Sequence, residues 1–216
     1  MRKTVYKLVL FDMDETLLKG RTIHVIGRKK GFVDEVLRLE ASDIISYKKN
    51  KMIAMLLKGL SERELLEMFQ GIELQEYVPE VMDALRKKGV KTAIVTNCYQ
   101  FLADALRQRL GMDYAVGNDL VMNNGVVTGE LRIQNTFLEQ VFEGCKIHPI
   151  CKRSLVDWFS KKLKIAPEEI IAVGDGKIDI CMLERAGLGV AYRASPEVQE
   201  HADVCTDDLR IILRHV

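Results

Sequence analysis

The chain lacks the features that mark membrane proteins and strongly charged proteins. No apolar run approaches the roughly 20 residues that a membrane-spanning helix needs. Lys and Arg number 32 against 31 Asp and Glu, so the formal net charge is only +1. This balance gives no electrostatic reason to expect binding to nucleic acid or to an anionic membrane surface. We therefore expect neither a nucleic-acid partner nor a membrane partner, and the sequence does not indicate an oligomeric state.

Cysteine is also scarce, and the few cysteines are poorly spaced for pairing. The five cysteines are an odd number without Cys-x-x-Cys spacing, which argues against a disulfide framework or a zinc site. A reducing cytoplasm is then the simpler setting. The basic first residues are followed by an apolar stretch that Asp12 and Asp14 interrupt, which makes a poor signal peptide. We expect a cytoplasmic protein.

What the chain does have is a globular composition with alternating strand and helix patterns. Its 216 residues are 48% apolar, enough to bury a sizeable core. The strand-like runs are residues 5–11, 92–96, 170–173 and 188–191. The helix-like segments include residues 80–88, 101–110, 152–163 and 178–186, with Gly89 and Gly187 where helix C-caps are expected. This alternation predicts an α/β fold with a doubly wound parallel sheet, which binds ligands beyond the carboxyl ends of its strands.

Two segments interrupt this alternation. The stretch after the first strand, up to about residue 75, has a mostly helical pattern, in which 32, 33, 36, 37 and 39 approximate one helix face. Ser61 and Glu64 fit a capping box at the start of a helix. Asn124-Gly125, flanked by apolar residues within 119–133, is a strong signal for a β-hairpin. The sequence thus predicts a helical insertion after the first strand and a hairpin later in the chain.

Asp12 and Asp14 follow the first predicted strand at a spacing of two residues. Alternate strand residues point the same way, so both carboxylates are expected in one site. Adjacent carboxylates repel, and a cation or a proton between them makes that cost tolerable. One could act as a nucleophile while the other moves a proton. The alternative is a strand that simply runs into an acidic, solvated turn.

Later segments repeat the pattern of a strand that ends in polar residues. Thr96 and Asn97 supply a hydroxyl and an amide suited to phosphate oxygens, or else cap the next helix. Asp175 lies between two glycines, which permit a tight turn and close approach to a ligand. Asp179 follows four residues later, and either shares that site or serves as an acid at a helix N-terminus. Lys152 begins a helix and could bring a cation into the same crevice.

Taken in their order along the chain, these elements resemble the motifs of the haloacid dehalogenase superfamily of phosphohydrolases. The matches are Asp12-Met13-Asp14-Glu15-Thr16, Thr96, Lys152 and Gly174-Asp175-Gly176-Lys177-Ile178-Asp179, and they extend over essentially the whole chain. Residues 56–60, the hairpin and residues 202–203 look like the phosphoserine phosphatase branch. The resemblance implies a Rossmann-like core of residues 1–18 and 76–216 with a helical cap of residues 19–75.

The resemblance also implies a role for each motif residue. Asp12 would attack phosphorus and form an aspartyl-phosphate, while Asp14 would act as general acid and then general base. The cofactor would be Mg²⁺, held by Asp12, the backbone carbonyl of Asp14, Asp175 and waters, with Asp179 orienting a bound water or Lys152. The transferring phosphoryl oxygens would be bound by Thr96, the backbone amide of Asn97 and Lys152.

The substrate is expected to be a small phosphate ester other than phosphoserine. By an ungapped reading, Arg21 replaces the glutamate that recognises the amino group in that branch, and Ile53 replaces its carboxylate-binding arginine. A third departure, Ile178, replaces a motif-four asparagine. An arginine cannot accept hydrogen bonds from an ammonium group and would repel it. Arg21 and the basic residues 28–30 either favour a more anionic leaving group or form a solvated helix face.

Two alternative functions share these motifs. A phosphotransferase or mutase of the same superfamily would pass the phosphoryl group to a second substrate. A receiver-like signalling module phosphorylated on Asp12 would also combine a doubly wound sheet with aspartates and a lysine. Receivers, however, are typically smaller and have no helical cap.

Overall fold

The computed structural model describes residues 5–134 and 148–216 of the chain. Its strands are β1 (Leu8–Phe11), β2 (Lys91–Tyr99), β3 (Tyr114–Asn123), β4 (Val126–Arg132), β5 (Ile170–Gly174), β6 (Leu188–Tyr192) and β7 (Val204–Thr206). Its α-helices are α1 (Thr22–Lys30), α2 (Val33–Ala41), α3 (Ser46–Leu56), α4 (Glu62–Gln70), α5 (Val78–Lys87), α6 (Gln100–Leu110), α7 (Lys152–Leu163), α8 (Ile180–Leu183) and α9 (Pro196–Gln199). None of the described helices is long and apolar enough to cross a bilayer.

The strands form one sheet in the order β4-β3-β2-β1-β5-β6-β7. Strand β1 lies at the centre, parallel to β2 on one side and to β5 on the other, with Leu10 opposite both Ala93 and Ala172. The antiparallel pair is β3 with β4, at one edge of the sheet. The predicted parallel α/β sheet is therefore confirmed, and the carboxyl ends of β1, β2 and β5 meet at one edge.

Both faces of the sheet are buried. On β1, Val9 and Phe11 belong to the larger apolar cluster, which includes residues of α5 and α6, while Leu8 and Leu10 belong to a second cluster with α7 and α8. All four side chains are fully buried. This alternation follows from the two-residue period of a strand, and burial on both faces explains why β1 is a continuous apolar run.

Residues 22–70 form the four helices α1 to α4 between β1 and α5. The predicted capping box is present, because the Ser61 side chain accepts from the Glu64 N–H and the Glu64 side chain accepts from the Ser61 N–H. These inserted helices join the main core through buried residues such as Ile26 and Leu65. They hold a smaller cluster of their own around Val36.

The predicted hairpin of β3 and β4 is confirmed, and it also forms backbone hydrogen bonds with the inserted segment. Asn124 and Gly125 take the left-handed conformation that its two-residue turn requires. Strand β4 then pairs with the loop between α3 and α4. The bonds run from Gly59 N–H to the Val127 carbonyl at 3.0 Å and from Val127 N–H to the Leu60 carbonyl at 2.9 Å.

Several local predictions were wrong. The first half of β3 was missed, because its residues Gly117 and Asn118 break the apolar pattern while the backbone pairs with β2. The helix predicted over 178–186 is only the short α8 after a 3-10 turn at Lys177–Asp179. Leu37, placed on the buried face of α2, is 47% exposed. Gly187 is not a left-handed C-cap like Gly89.

Gly187 is required instead by a close backbone approach. Its N–H donates to the carbonyls of Pro167 and Ile170, each at 2.9 Å, at the start of β5. A Cβ at this position would lie 2.1 Å from the Glu168 carbonyl oxygen, far inside van der Waals contact. Because the obstacle is backbone, no side-chain rotation can relieve it.

We predict that Gly187→Ala lowers the free energy of unfolding by about 1–3 kcal/mol, as overpacking does elsewhere. The matched control is Gly71→Ala, where the nearest atom to an added Cβ is the Met68 carbonyl oxygen at an ordinary 3.5 Å. This control should stay within ~0.5 kcal/mol of the parent chain. Urea unfolding followed by circular dichroism measures both. Equal stability of the two variants would contradict the prediction.

Candidate active site

The carboxyl ends of β1, β2 and β5 face the inserted helices across a cavity of about 800 Å³. Asp12 follows β1 directly, Asp175 follows β5, and Thr96 lies in β2 where its pairing with β3 is interrupted between Val95 and Tyr99. All three line the cavity, together with Asp14 and Asp179. The sheet topology thus brings together residues that are up to 167 positions apart in the sequence, from Asp12 to Asp179.

Lys152 is the buried cation of this site. It is the first residue of α7 and is 1% exposed. Its ammonium donates to a carboxylate oxygen of Asp12 and, at 2.5 Å, to Oδ1 of Asp179. Burial lowers the Lys152 pKa, but the two carboxylates outweigh that effect and the net pKa is raised. Lys152 therefore remains charged over the physiological pH range.

Asp12 has the opposite balance. Burial raises the pKa of its carboxyl group, the Lys152 ammonium opposes that rise, and the nearby Asp179 and Asp175 add to it. An ionised Asp12 thus depends on positive charge supplied next to it.

Asp12, Asp175 and Asp179 form a cluster whose carboxylate oxygens lie within 4.8 Å of one another. Asp175 accepts a 2.7 Å hydrogen bond from the Thr16 hydroxyl, and burial raises its pKa to about 6. Asp179 accepts from the Gly176 N–H at 2.9 Å. Hard carboxylate oxygens at this density fit a divalent cation such as Mg²⁺, whose charge would offset their repulsion.

A glycine allows Asp179 to come this close. A Cβ at Gly174 would lie 2.5 Å from the Asp179 side chain. The glycine before Asp175, expected from the sequence to permit close approach to a ligand, therefore also admits the neighbouring carboxylate.

Asp14 is separated from this cluster and has its own partner. Its Oδ1 accepts a 2.5 Å hydrogen bond from the hydroxyl of Thr22, the buried first residue of α1. Burial raises the pKa of Asp14, and the Thr22 hydrogen bond opposes part of the rise. Asp14 is thus held by the inserted helices and favours the protonated form more than an exposed aspartate would.

Thr96 and Asn97 have different tasks. Thr96 lines the cavity, and its hydroxyl accepts from the Cys98 N–H at 3.0 Å, a bond that does not use the O–H donor. The Asn97 side-chain oxygen instead accepts from the Ile150 N–H at 3.2 Å. The backbone carbonyl of Asn97 accepts from the Asn118 side-chain amide at 2.8 Å. The Asn97 side chain therefore anchors the segment that leads into Lys152.

The three positions that depart from the phosphoserine phosphatase pattern, Arg21, Ile53 and Ile178, all line the cavity. Arg21 forms a 3.0 Å ion pair with Glu40, whose other carboxylate oxygen lies 2.8 Å from His24 Nε2. The Arg21 charge is thus balanced locally by a carboxylate from α2.

The basic residues after Arg21 on α1 do not belong to this wall. Residues 28–30 are exposed and do not line the cavity, and Lys30 pairs with Glu64 of α4 at 2.6 Å. The solvated-face interpretation therefore describes residues 28–30, and of these four basic residues Arg21 is the one that lines the cavity.

Sequence reasoning missed four residues that shape the site, namely Thr16, Thr22, Glu40 and Gln75. Thr16 and Thr22 lie within ten residues of Asp12, and a hydroxyl close to an acidic motif was an available signal. Glu40 and Gln75 carry no such signal, because contacts between segments that are distant in the sequence bring each of them to its partners.

Comparison with known proteins places the chain beside phosphohydrolases. Residues 9–184 match the family of haloacid dehalogenase-like hydrolases. A phosphoserine phosphatase of Archaeoglobus fulgidus is 34% identical over 201 residues, which are 91% of this chain and 55% of that protein. The chain therefore spans about half the length of this relative. A phosphoserine phosphatase of Methanocaldococcus jannaschii is 30% identical over 216 residues, 97% of each chain.

Solved structures agree with this placement. One described as a phospho-aspartyl intermediate analogue of phosphoserine phosphatase has a TM-score of 0.82 at 29% identity, covering 98% of this chain and 99% of that one. A haloacid dehalogenase family hydrolase of Salmonella enterica serovar Typhi has a TM-score of 0.87 at 24% identity, covering 99% and 72%. The second likeness concerns the fold alone.

The buried position of Lys152 predicts a large cost for removing its charge. In Lys152→Met, the Asp12 and Asp179 carboxylates stay buried without their cation, which should cost about 3–5 kcal/mol of unfolding free energy near neutral pH. Losing the cation raises the folded-state pKa of Asp12 further, since the Lys152 ammonium opposes that rise in the parent chain. Protonation of Asp12 on acidification therefore relieves part of the repulsion, and the loss of stability relative to the parent chain should shrink as the pH falls.

Chemical unfolding in the presence of a chelator, at neutral and mildly acidic pH, measures this deficit. The matched control is Lys161→Met on the exposed face of α7, which should stay within ~0.5 kcal/mol of the parent chain at both pH values. A deficit that does not depend on pH would contradict the electrostatic explanation.

Proposed function

The chain belongs to the haloacid dehalogenase-like hydrolase family, and on that premise we propose that it is a Mg²⁺-dependent phosphomonoesterase that works through an aspartyl-phosphate. It is a phosphatase of the phosphoserine phosphatase-like branch. The observation that carries the proposal is the buried Asp12–Lys152–Asp179 arrangement at the end of β1, with Asp14 held separately by Thr22.

In the proposed first step, a carboxylate oxygen of Asp12 attacks phosphorus and the bond from phosphorus to the ester oxygen breaks. Asp14 donates its proton to that oxygen as the alcohol leaves, a task that suits its raised pKa. Lys152 and Thr96 would bind the transferring oxygens, with the backbone amide of Asn97. Lys152 also reduces the repulsion between the Asp12 carboxylate and a phosphate dianion.

In the second step, the Asp14 carboxylate removes a proton from a water molecule. The water oxygen attacks phosphorus and the bond to Asp12 breaks, which releases inorganic phosphate and restores both aspartates. Asp14 thus serves as acid and then as base, and the proton that it loses in the first step is replaced in the second. The structure of a similar protein, described as a phospho-aspartyl intermediate analogue, supports an aspartyl-phosphate intermediate.

The acidic cluster supports the proposed cofactor. Asp12 and Asp175 would hold Mg²⁺ with the Asp14 backbone carbonyl, and Asp179 would hold Lys152 and the Gly176 loop in place. When bound, the ion supplies positive charge that neutralises the nucleophile and the phosphate oxygens.

We also propose that residues 19–75 act as a cap over a core of residues 1–18 and 76–216, and that the substrate is a small phosphorylated metabolite. Arg21 and Ile53 offer neither an acceptor for an ammonium group nor a partner for a carboxylate at the positions where the branch recognises serine. Glu40 has two carboxylate oxygens that could accept from an ammonium group, but Arg21 already contacts one of them and His24 the other. Phosphoserine should therefore be a poor substrate.

We predict that Asp12→Asn loses at least about a thousandfold in kcat toward p-nitrophenyl phosphate with Mg²⁺, because the amide is a poor nucleophile. Asp83→Asn on the exposed surface of α5 is the matched control and should keep full activity. Phosphate release without an added acceptor alcohol separates hydrolysis from phosphotransfer. Retention of parental turnover by Asp12→Asn would rule the mechanism out.

A panel of phosphate esters tests the substrate proposal. With Mg²⁺, kcat/KM for phosphoserine should lie at least about tenfold below that of the best ester, since a hydrogen bond to a charged group is worth about 1.5–3 kcal/mol. Arg21→Ala frees Glu40 and should raise phosphoserine kcat/KM by about fivefold, close to the effect of one charge at ~4 Å in water.

The matched control is Arg28→Ala on the same helix, outside the cavity, which should leave the ranking of esters unchanged. Phosphoserine as the best substrate by a wide margin would overturn the proposal.

A further inference from the structure

Gln75 occupies the point where the chain returns from the inserted helices to the core. The outgoing and returning segments lie side by side there. Lys19 N–H donates to the Glu73 carbonyl at 2.8 Å and Gln75 N–H donates to the Leu17 carbonyl at 2.9 Å. Gln75 is 7% exposed. A buried primary amide at such a crossing needs partners for all its polar atoms.

The Gln75 side chain uses its complete hydrogen-bonding capacity. Its Nε2 donates to the Glu15 carbonyl at 2.9 Å and to the Leu18 carbonyl at 3.3 Å. Its Oε1 accepts from Arg193 Nη1 at 3.0 Å and from the Tyr192 hydroxyl at 3.4 Å. A primary amide offers two N–H donors and two acceptor lone pairs, so this pattern suits glutamine and fixes the orientation of its amide.

Two of these partners have strained backbones. Glu15 has φ 62° and Arg193 has φ 48°, although neither residue is glycine. The left-handed conformation is costly for such residues and persists where surrounding contacts impose it. Glu15 directly follows Asp14, so the bond from Gln75 to the Glu15 carbonyl fixes the Glu15–Thr16 peptide, one residue beyond Asp14. Thr22 holds the Asp14 side chain from the other side.

We infer that Gln75 is a positioning residue that sets Asp14 for proton transfer to the leaving group. The inference rests on the proposed role of Asp14 as general acid and base. Gln75 touches neither Asp12 nor Lys152, so its loss should leave the attack on phosphorus intact and weaken the step that needs a proton. The same amide links the Asp14 loop to the end of β6, which makes Asp14 depend on the seating of the inserted helices.

A pair of aryl esters separates these effects. Phenyl phosphate and p-nitrophenyl phosphate have similar shapes, but phenoxide is the more basic leaving group and depends more on a general acid. In Gln75→Met, kcat/KM for phenyl phosphate should fall roughly 10- to 100-fold, within the usual range for a misplaced acid. For p-nitrophenyl phosphate it should change less than about threefold, because kcat/KM reports the first phosphoryl transfer.

The same variant should show a pre-steady-state burst of p-nitrophenol. Asp14 is also the proposed base for the second step, so hydrolysis of the aspartyl-phosphate slows while its formation does not. If the role of Gln75 were purely structural, kcat/KM would fall by the same factor for both esters and no new burst would appear.

Two further variants keep the test decisive. Gln75→Glu can still accept from Tyr192 and Arg193 but cannot donate to Glu15, so it should show the same selective loss as Gln75→Met. Arg193→Met removes one bond to Gln75 from a side chain that is 40% exposed, and should show a smaller loss of the same kind even if both Gln75 variants fail to fold.

The matched control is Gln100→Met, which removes another bridging glutamine. Gln100 accepts from the Gly117 N–H at 2.7 Å and donates to Asp104 at 3.0 Å, away from the Asp14 loop. In this control, the ratio of kcat/KM for phenyl phosphate to kcat/KM for p-nitrophenyl phosphate should equal that of the parent chain. A parental ratio in Gln75→Glu and Arg193→Met, or an equal change in Gln100→Met, would overturn the inference. Failure of the parent chain to hydrolyse either ester would instead overturn the proposed function.

Discussion

Three carboxylates, Asp12, Asp175 and Asp179, lie within 4.8 Å of one another at the end of the central strand, and two of them are buried. Such a concentration of negative charge is costly in a low-dielectric interior unless cations or protons accompany it. Lys152 supplies one positive charge from the start of α7. Burial, together with repulsion between the carboxylates, raises the pKa values of Asp12 and Asp175, and the remaining negative charge makes the cluster suitable for a divalent cation.

The surrounding fold can be understood from this requirement. A parallel sheet presents the ends of β1, β2 and β5 at one edge, so each strand contributes a polar residue to the same place without a long loop. The Thr16 hydroxyl orients Asp175, and the Gly176 N–H orients Asp179. Gly174, which has no Cβ, leaves room for the Asp179 side chain. The inserted helices cover this edge and bring the Thr22 hydroxyl to the Asp14 carboxylate.

Arg21 in the wall of the cavity that belongs to the inserted helices has a partner of opposite charge. Glu40 forms an ion pair with Arg21 and also lies 2.8 Å from His24 Nε2, so the cation that the sequence places there does not act alone. Under the proposed function, residues at the carboxyl edge of the sheet would act on the phosphate, whereas residues of this wall would contact the rest of the substrate.

The motif residues could be predicted because local rules determine where they lie. Asp12, Asp175 and Lys152 each adjoin an apolar strand or an amphipathic helix, and a parallel sheet brings strand ends together whatever the details of packing. The parallel sheet, the hairpin and the helical insertion follow from the same periodicities. Gly187, the first half of β3 and the length of α8 did not follow, because backbone contacts between distant segments decide them.

The sequence by itself thus determined the α/β class of the fold and the chemical character of its site. Those properties depend on the order of residues within short segments. Only the tertiary structure decided that Glu40 neutralises Arg21 and that Gln75 joins Glu15 to Arg193 across more than a hundred residues. Such contacts depend on how distant helices and loops pack against one another in three dimensions, which no spacing along the chain determines.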